Sequence, residues 1–366
     1  MNKLFRNLVS IIKISIYRIK GYSIGNGVYI EHGSKIEGNK VIIGKNTYIG
    51  RNVIIQSKTI ILGENCVIFP NVNIHTERFL MMKRGKLSRN CIFKANCIKI
   101  GRDFWCNENV EVGGGGWQKK TSKLRIGSYT HVGKNAHFNV CQAIKIKGKT
   151  GVGMDCMIFT HSSGNGQSIL EGYPVSEERV EIDTNVSLYS RVIVIPGTII
   201  KKGVTVGAGA LAKGMLDENS FYAGIPAKLI SKVLPKNDDE KLNILKGIIL
   251  NILPDCTVTE NNYTIFVKNE IAVLLSFSIN EEIISAVEQQ HQDKSIICIY
   301  LDGNIKLNSK NTGINLGNST ITGTSNDISE KIRDEFRRKG IILRMINYKP
   351  KLLSYNGLVK AGIELE

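Results

Sequence analysis

From Met154 to Phe159 apolar and small residues alternate regularly. The run then breaks into "THSSGNG", which places His161 at the mouth of a serine- and glycine-rich segment. A neutral imidazole is the side chain best suited to take up a proton near pH 7, so His161 is the candidate general base. A lone histidine is more often structural than catalytic. What favours chemistry here is its position at the break. The eight cysteines include no C-x-x-C pair, which leaves a zinc or redox centre without support. A disulfide framework is not expected in a chain of 366 residues with no clean secretion signal, so a reducing cytoplasm is the expected compartment.

The break matters because of what it interrupts. From Ile24 an aliphatic residue recurs every six positions: Ile24, Ile30 and Ile36; after a short slip Ile43, Ile49 and Ile55; and finally Ile182, Leu188, Val194, Ile200, Val206 and Ala212. A small or β-branched residue tends to follow four places after each start, as at Val28, Ser34, Thr47, Cys66 and Cys156, and glycine often takes the second place. A period of six fits neither an amphipathic helix nor an alternating strand. It fits a parallel β-helix, in which three units close one triangular coil and stacked coils pair their backbones. Aliphatic starts should then point inward, with glycine permitting the tight turn. Cys66 and Cys156 become small buried fillers. His131 and His137, six apart, fall on different faces of the prism and cannot converge on one metal, so no metal is expected. Three stretches break the repeat, 76–90, 113–123 (with "GGGGWQKK") and 162–179. Long loops on a rigid scaffold are where sites tend to lie.

The formal net charge of +17 favours an anionic partner: a phosphate-rich cofactor, an acidic glycan or an anionic membrane. The basic residues are spread along the chain without a nucleic-acid-binding signature, so nucleic acid is not the expected partner. In residues 1–22, Leu4, Leu8, Ile11, Ile12, Ile16 and Ile19 recur at helical spacing, among Lys3, Arg6, Lys13 and Lys20. This predicts an amphipathic helix that either lies on anionic lipid at the inner face of the cell membrane or caps the end of the core. Residues 23–235 hold the repeat. Beyond Pro235 the pattern changes to helices at 238–252 and about 327–339 and strands at 263–268, 271–278, 295–301 and 340–345, a small α+β domain over 236–366 with no catalytic motif.

The repeat, "FTHSS" and the closing run "VIVIPGTIIKKGVTVGAGALAKGMLDENSFYAGIPAKLI" together resemble the hexapeptide-repeat acyltransferases, in the branch of sugar and polysaccharide O-acetyltransferases. The resemblance covers about residues 24–232 and implies a mainly β fold, a left-handed parallel β-helix. It also implies acetyl-CoA as donor, a sugar, nucleotide-sugar or polysaccharide acceptor, and a homotrimer with the cofactor between subunits. Such a transfer needs a base for the acceptor hydroxyl, donors for the tetrahedral oxyanion and a grip on the cofactor. The match assigns His161 as the base. Asn139 is either a contact to the acceptor hydroxyl or a stacked polar residue at a corner. For coenzyme A the match implies Ser190, Ala208 and Gly209, whose small side chains let the pantetheine arm lie close, and Lys213 and Lys228, which would meet phosphates. Where the family often reads Val-Trp-Ile-Gly this chain reads "VSLYS", placing Ser187 and Tyr189 in the tryptophan and glycine slots. The alternatives are N-acetylation of an amino-sugar nucleotide and a non-catalytic scaffold that binds glycan or membrane.

Overall fold

The computed structural model describes residues 3–162, 168–303, 305, 307–308, 310–341, 343–346 and 348. Ser163 to Gln167, just after His161, lie outside the described residues. The chain forms two compact units, one ending at Leu234 and the next beginning at Pro235.

The first unit is a parallel β-helix. Every coil contributes a strand to each of three faces, and each strand pairs in parallel with its counterparts in the neighbouring coils. One face holds Tyr29–Ile30, Tyr48–Ile49 and Val67–Ile68. The second holds Glu111–Gly113, His137–Asn139 and Met157–Phe159. The third holds Lys123–Ile126, Ile144–Ile146 and Val180–Ile182. The aliphatic starts point inward as expected: Ile24, Ile43, Leu62, Met81, Ile100 and Ile126 stack in register, all buried. Burying each such side chain contributes about 1.5–3 kcal/mol. Cys66 and Cys156 fill the interior, and burial pushes both thiols up to about 11.

Three features differ from the sequence reading. The early slip is a change of coil length: Ile54, Asn73 and Ile92 are successive partners, so these coils hold 19 residues. The extra residue is taken up where the nine-residue strands Ile54–Leu62, Asn73–Met81 and Ile92–Ile100 run round a corner without a break. Residues 76–90 are therefore ordinary coil, not a projecting loop. The second-place glycines serve close approach of the next coil: a Cβ on Gly127 would sit 2.3 Å from the Gly148 nitrogen. The left-handed turn is instead carried mostly by asparagine. Asn52, Asn71, Asn90, Asn109 and Asn135 all have φ between 55° and 61°, a conformation asparagine tolerates because its short amide bonds locally. Their side chains form a ladder, Asn71 donating to Asn90 at 3.1 Å and Asn109 to Asn135 at 3.2 Å.

Helix α1 (Lys3–Ile19) covers the first coil with its polar side. The Ser10 hydroxyl accepts from the Ile30 N–H at 2.9 Å and the Tyr17 hydroxyl from the Ile36 N–H at 3.0 Å. Lys13 donates to the Glu31 and Ser34 carbonyls at 3.0 and 2.8 Å. These side chains pair backbone groups that the last coil of a stack leaves open. The consequence is an inverted orientation: Leu8, Ile11, Ile12, Ile16 and Ile19 face outward and are exposed. Among the described residues no helix is long and apolar enough to cross a membrane.

The second unit is a seven-stranded mixed sheet in chain order, from Thr257–Glu260 to Arg344–Met345. Helices α2 (Asp238–Ile252) and α4 (Asp327–Arg338) pack with Phe266, Val273 and Ile297, and α3 (Glu281–Gln290) packs with the alternate residues Ile265, Ala272 and Ile296. The α+β character agrees with the sequence reading, as do α2, α4 and the strands Ile271–Ser278 and Ser295–Asp302. Helix α3 and the short strands Thr312–Asn315 and Thr320–Gly323 were not legible in the sequence pattern.

Candidate active site

Two insertions leave the prism at the same corner. Residues 114–122 lie between Glu111–Gly113 on the second face and Lys123–Ile126 on the third. Residues 160–179 lie between Met157–Phe159 and Val180–Ile182. Because Gly113, Asn139 and Phe159 are Cα partners on successive coils, the insertions flank Asn139 from either side.

His161 opens a two-residue strand, His161–Ser162, antiparallel to Ser176–Glu177, which makes Glu177 its cross-strand partner. The hairpin is tied to the other insertion: Lys119 donates to both Glu177 carboxylate oxygens at 2.6 and 2.9 Å, and Gln142 adds a contact at 3.3 Å. The Lys119 ammonium, with Gln142, holds the Glu177 carboxyl below its usual range. Both groups are largely exposed, so the tie fixes geometry more than it stabilises the fold. Thr160, fully buried, joins hairpin to coil. Its hydroxyl accepts from the N–H groups of Cys141 and Gln142 at 2.9 and 3.0 Å and donates to the Asn139 carbonyl at 2.8 Å.

The glycine run lies against these residues. A Cβ on Gly114, whose φ is +88°, would stand 2.4 Å from the Asn139 amide nitrogen. One on Gly115 would stand 3.7 Å from Nε2 of His161. His161 and Asn139 thus both lie against the backbone of Gly114 and Gly115. Each also carries an orphan: Nδ1 of His161 and Oδ1 of Asn139 are buried and find no hydrogen-bond partner among the described residues. Buried polar atoms are nearly always paired, so both atoms are open to a hydrogen-bonding partner.

The remaining sequence-predicted residues fall at neighbouring turns. The Gly209 N–H donates to the Ser190 carbonyl at 3.0 Å, which stacks Ala208–Gly209 on the Ser190 turn. Ala208 and Gly209 are exposed, so a close-lying ligand would meet no obstructing side chain. Tyr189, in the divergent "VSLYS" stretch, projects outward beside Ser190. Lys213 comes one residue after Ala212, whose column runs back through Val194 to Ile158. It therefore follows Phe159 along the face that bears Asn139. Lys228 opens Lys228–Lys232 and pairs with Ala223. Both lysines are exposed. His131 and His137 lie on different faces, His131 beside Trp105 and His137 3.7 Å from Glu111. The sequence reading marked His161, Asn139 and the glycine-rich insertion separately. It missed their convergence, and it missed Thr160, Lys119 and Glu177 altogether. Only the run of four glycines signalled that backbone must pass close to something.

No protein-family model matches the sequence. Over 53 residues, 14% of this chain and 27% of the relative, the sequence is 49% identical to an Escherichia coli (strain K12) protein carrying the name lipopolysaccharide biosynthesis O-acetyl transferase WbbJ. Over 140 residues, 36% of this chain and 66% of the relative, it is 26% identical to the galactoside O-acetyltransferase of the same organism. In both cases the chain spans less than two thirds of the relative. A structural likeness to the hexapeptide-repeat containing acetyltransferase VCA0836 from Vibrio cholerae has a TM-score of 0.33 at 17% identity, over 37% of this chain and 74% of that one. Over the matched stretches the β-helical unit is similar to these named O-acetyl transferases, and its repeat resembles that of the hexapeptide-repeat acyltransferases.

Proposed function

We propose that the protein transfers an acetyl group from acetyl-CoA to a sugar hydroxyl of a bacterial surface glycan, with His161 as general base. The observation that carries this reading is the pair of buried orphans, His161 Nδ1 and Asn139 Oδ1, beneath the Gly114–Gly115 backbone. In the proposed step the imidazole takes the hydroxyl proton as the oxygen attacks the thioester carbonyl. The tetrahedral intermediate then collapses, the C–S bond breaks, and the imidazolium returns the proton to the departing thiolate. Asn139 would meet the acceptor or the developing charge. Thr160 and the Lys119–Glu177 tie would hold the base in place. Ser190, Ala208 and Gly209 would flank the pantetheine arm, and Lys213 and Lys228 would meet phosphates. The two relatives, both named for O-acetyl transfer, favour an oxygen acceptor. An alkali-labile product supports the ester, and an alkali-stable one would indicate the amide and overturn O-acetylation. Replacing Lys213 and Lys228 by alanine should weaken coenzyme A at least tenfold more than dephospho-coenzyme A, if either lysine meets the 3′-phosphate. Equal losses for both ligands would remove that assignment.

Two partner readings accompany this one. A homotrimer would cover apolar side chains that this chain leaves open on the second insertion, such as Leu170, 93% exposed. An anionic membrane would cover the outward stripe of α1, a helix with four basic and no acidic residues. The full chain is expected to sediment with phosphatidylglycerol vesicles at low salt, less so as salt rises. Ile12→Glu with Ile16→Glu should cut this partitioning at least tenfold, since each removes a side chain worth about 1.5–3 kcal/mol of burial. Failure of the parent to bind such vesicles would leave α1 as a cap alone.

A further inference from the structure

The third face carries a line of positive charge that the proposed transfer does not use. Lys99, Arg125 and Lys145 are Cα partners on consecutive coils, and all three are exposed. Adjacent strands lie about 4.8 Å apart, so the three charges span about 10 Å. The step of about 4.8 Å between neighbouring rungs is inside the screening length of about 8 Å at physiological salt, so neighbouring rungs repel one another. Elsewhere the same repeat sets opposite charges on neighbouring coils, Lys45 with Glu64, Lys58 with Glu77 and Arg84 with Asp103, and beside the three rungs Lys147 pairs with Asp183. These three rungs have no ion pair among the described residues, and the next rung, Glu181, is engaged by Arg179 at 3.0 Å.

The rungs line a groove of about 490 Å³. Its floor includes Gly101, Gly127 and Gly148, where a Cβ would approach backbone atoms of the adjacent coil to 2.5, 2.3 and 2.6 Å. A side chain cannot be placed there without moving the coils, so the floor is bare, closely stacked backbone. Among the described residues no aromatic ring lines it, which leaves nothing there to stack a nucleobase. Arg125 and Lys145 also lie on the coils of Gly113 and Asn139, just past the corner from which the first insertion leaves.

We infer that this ladder is a docking track for an acidic glycan, a linear carbohydrate bearing a repeated carboxylate or phosphate charge. The inference rests on the acetyl-transfer reading, because it supplies the class of acceptor: an anionic chain gripped on the third face presents a sugar to the corner at His161.

The test is direct binding of the full chain to oligogalacturonate, with a neutral glucan of equal length and a single-stranded DNA of equal charge as comparisons. Oligogalacturonate should bind, the glucan should not, and affinity should fall about 20- to 40-fold between about 50 and 200 mM salt for three released counterions. Lys99→Gln, Arg125→Gln and Lys145→Gln together should weaken binding at least tenfold while transfer to a small neutral sugar is unchanged. Should the triple variant misfold, Arg125→Gln alone should weaken binding at least threefold. Equal affinity for the glucan, tighter binding of DNA, or unaltered binding by the well-folded variants would overturn the inference. Loss of all acetyl transfer in the parent, with the glycan preference intact, would instead count against the proposed function.

Discussion

His161→Ala is expected to fold as the parent does, to bind acetyl-CoA, and to lose acetyl transfer by about 10²–10⁴-fold, the range for removing a general base. The fold should tolerate the change because His161 lies on a two-residue hairpin strand outside the inward stacks. Its ring has no hydrogen bond to lose at Nδ1 among the described residues. His161→Asn should be equally poor, since it keeps polarity but offers no base. Rates measured with saturating donor and unfolding curves for both variants make the check. Parental transfer by a well-folded His161→Ala protein would move attention to Asn139 or to a carboxylate of the second insertion such as Glu171.

Gly114→Ala is expected to cut transfer by about 10²-fold, the scale on which a displacement of about 1 Å at a reacting centre is felt. Two effects combine. The residue has φ of +88°, a conformation that costs an L side chain about 1–2 kcal/mol. The new methyl would also stand 2.4 Å from the Asn139 amide nitrogen, so either Asn139 or the loop must shift. Gly172→Ala supplies the comparison: its φ is +85°, but a Cβ there meets nothing within 4 Å. It should show the backbone cost with parental activity. Equal activity losses in both variants would contradict the contact between the glycine run and the site.

Much of this architecture was legible because burial in a β-helix is strictly periodic. Ile24, Ile43 and Ile182 had to be inward, and they are. The turn chemistry was misread. Glycine at Gly127 looked like a turn residue, whereas it allows close contact with the next coil, and the positive φ falls two residues later, on Tyr129. The stretch 76–90 broke the six-residue period and looked like a loop, but one extra residue in a 19-residue coil is absorbed at a corner. The site divides in the same way. His161 and Asn139 could be read from local sequence. Their meeting with Gly114 and Gly115, and the tie between Lys119 and Glu177, depend on both insertions leaving one corner. The spacing of residues along the chain does not reveal that. Helix α1 was recognisable as amphipathic, but its polar side turns inward because the open backbone of the first coil needs donors and acceptors more than apolar cover.

The most direct test of acetyl transfer at this corner is the reaction itself: thiol release from acetyl-CoA, followed together with product mass, over a panel of neutral, amino and acidic sugars. The account predicts thiol release that depends on the acceptor, matched one for one by a single-acetyl gain that is lost on mild alkali treatment, and both signals absent in His161→Ala. Acetyl-CoA left intact by every sugar acceptor, with a folded protein that binds glycan or lipid all the same, would contradict it and leave the β-helix a scaffold.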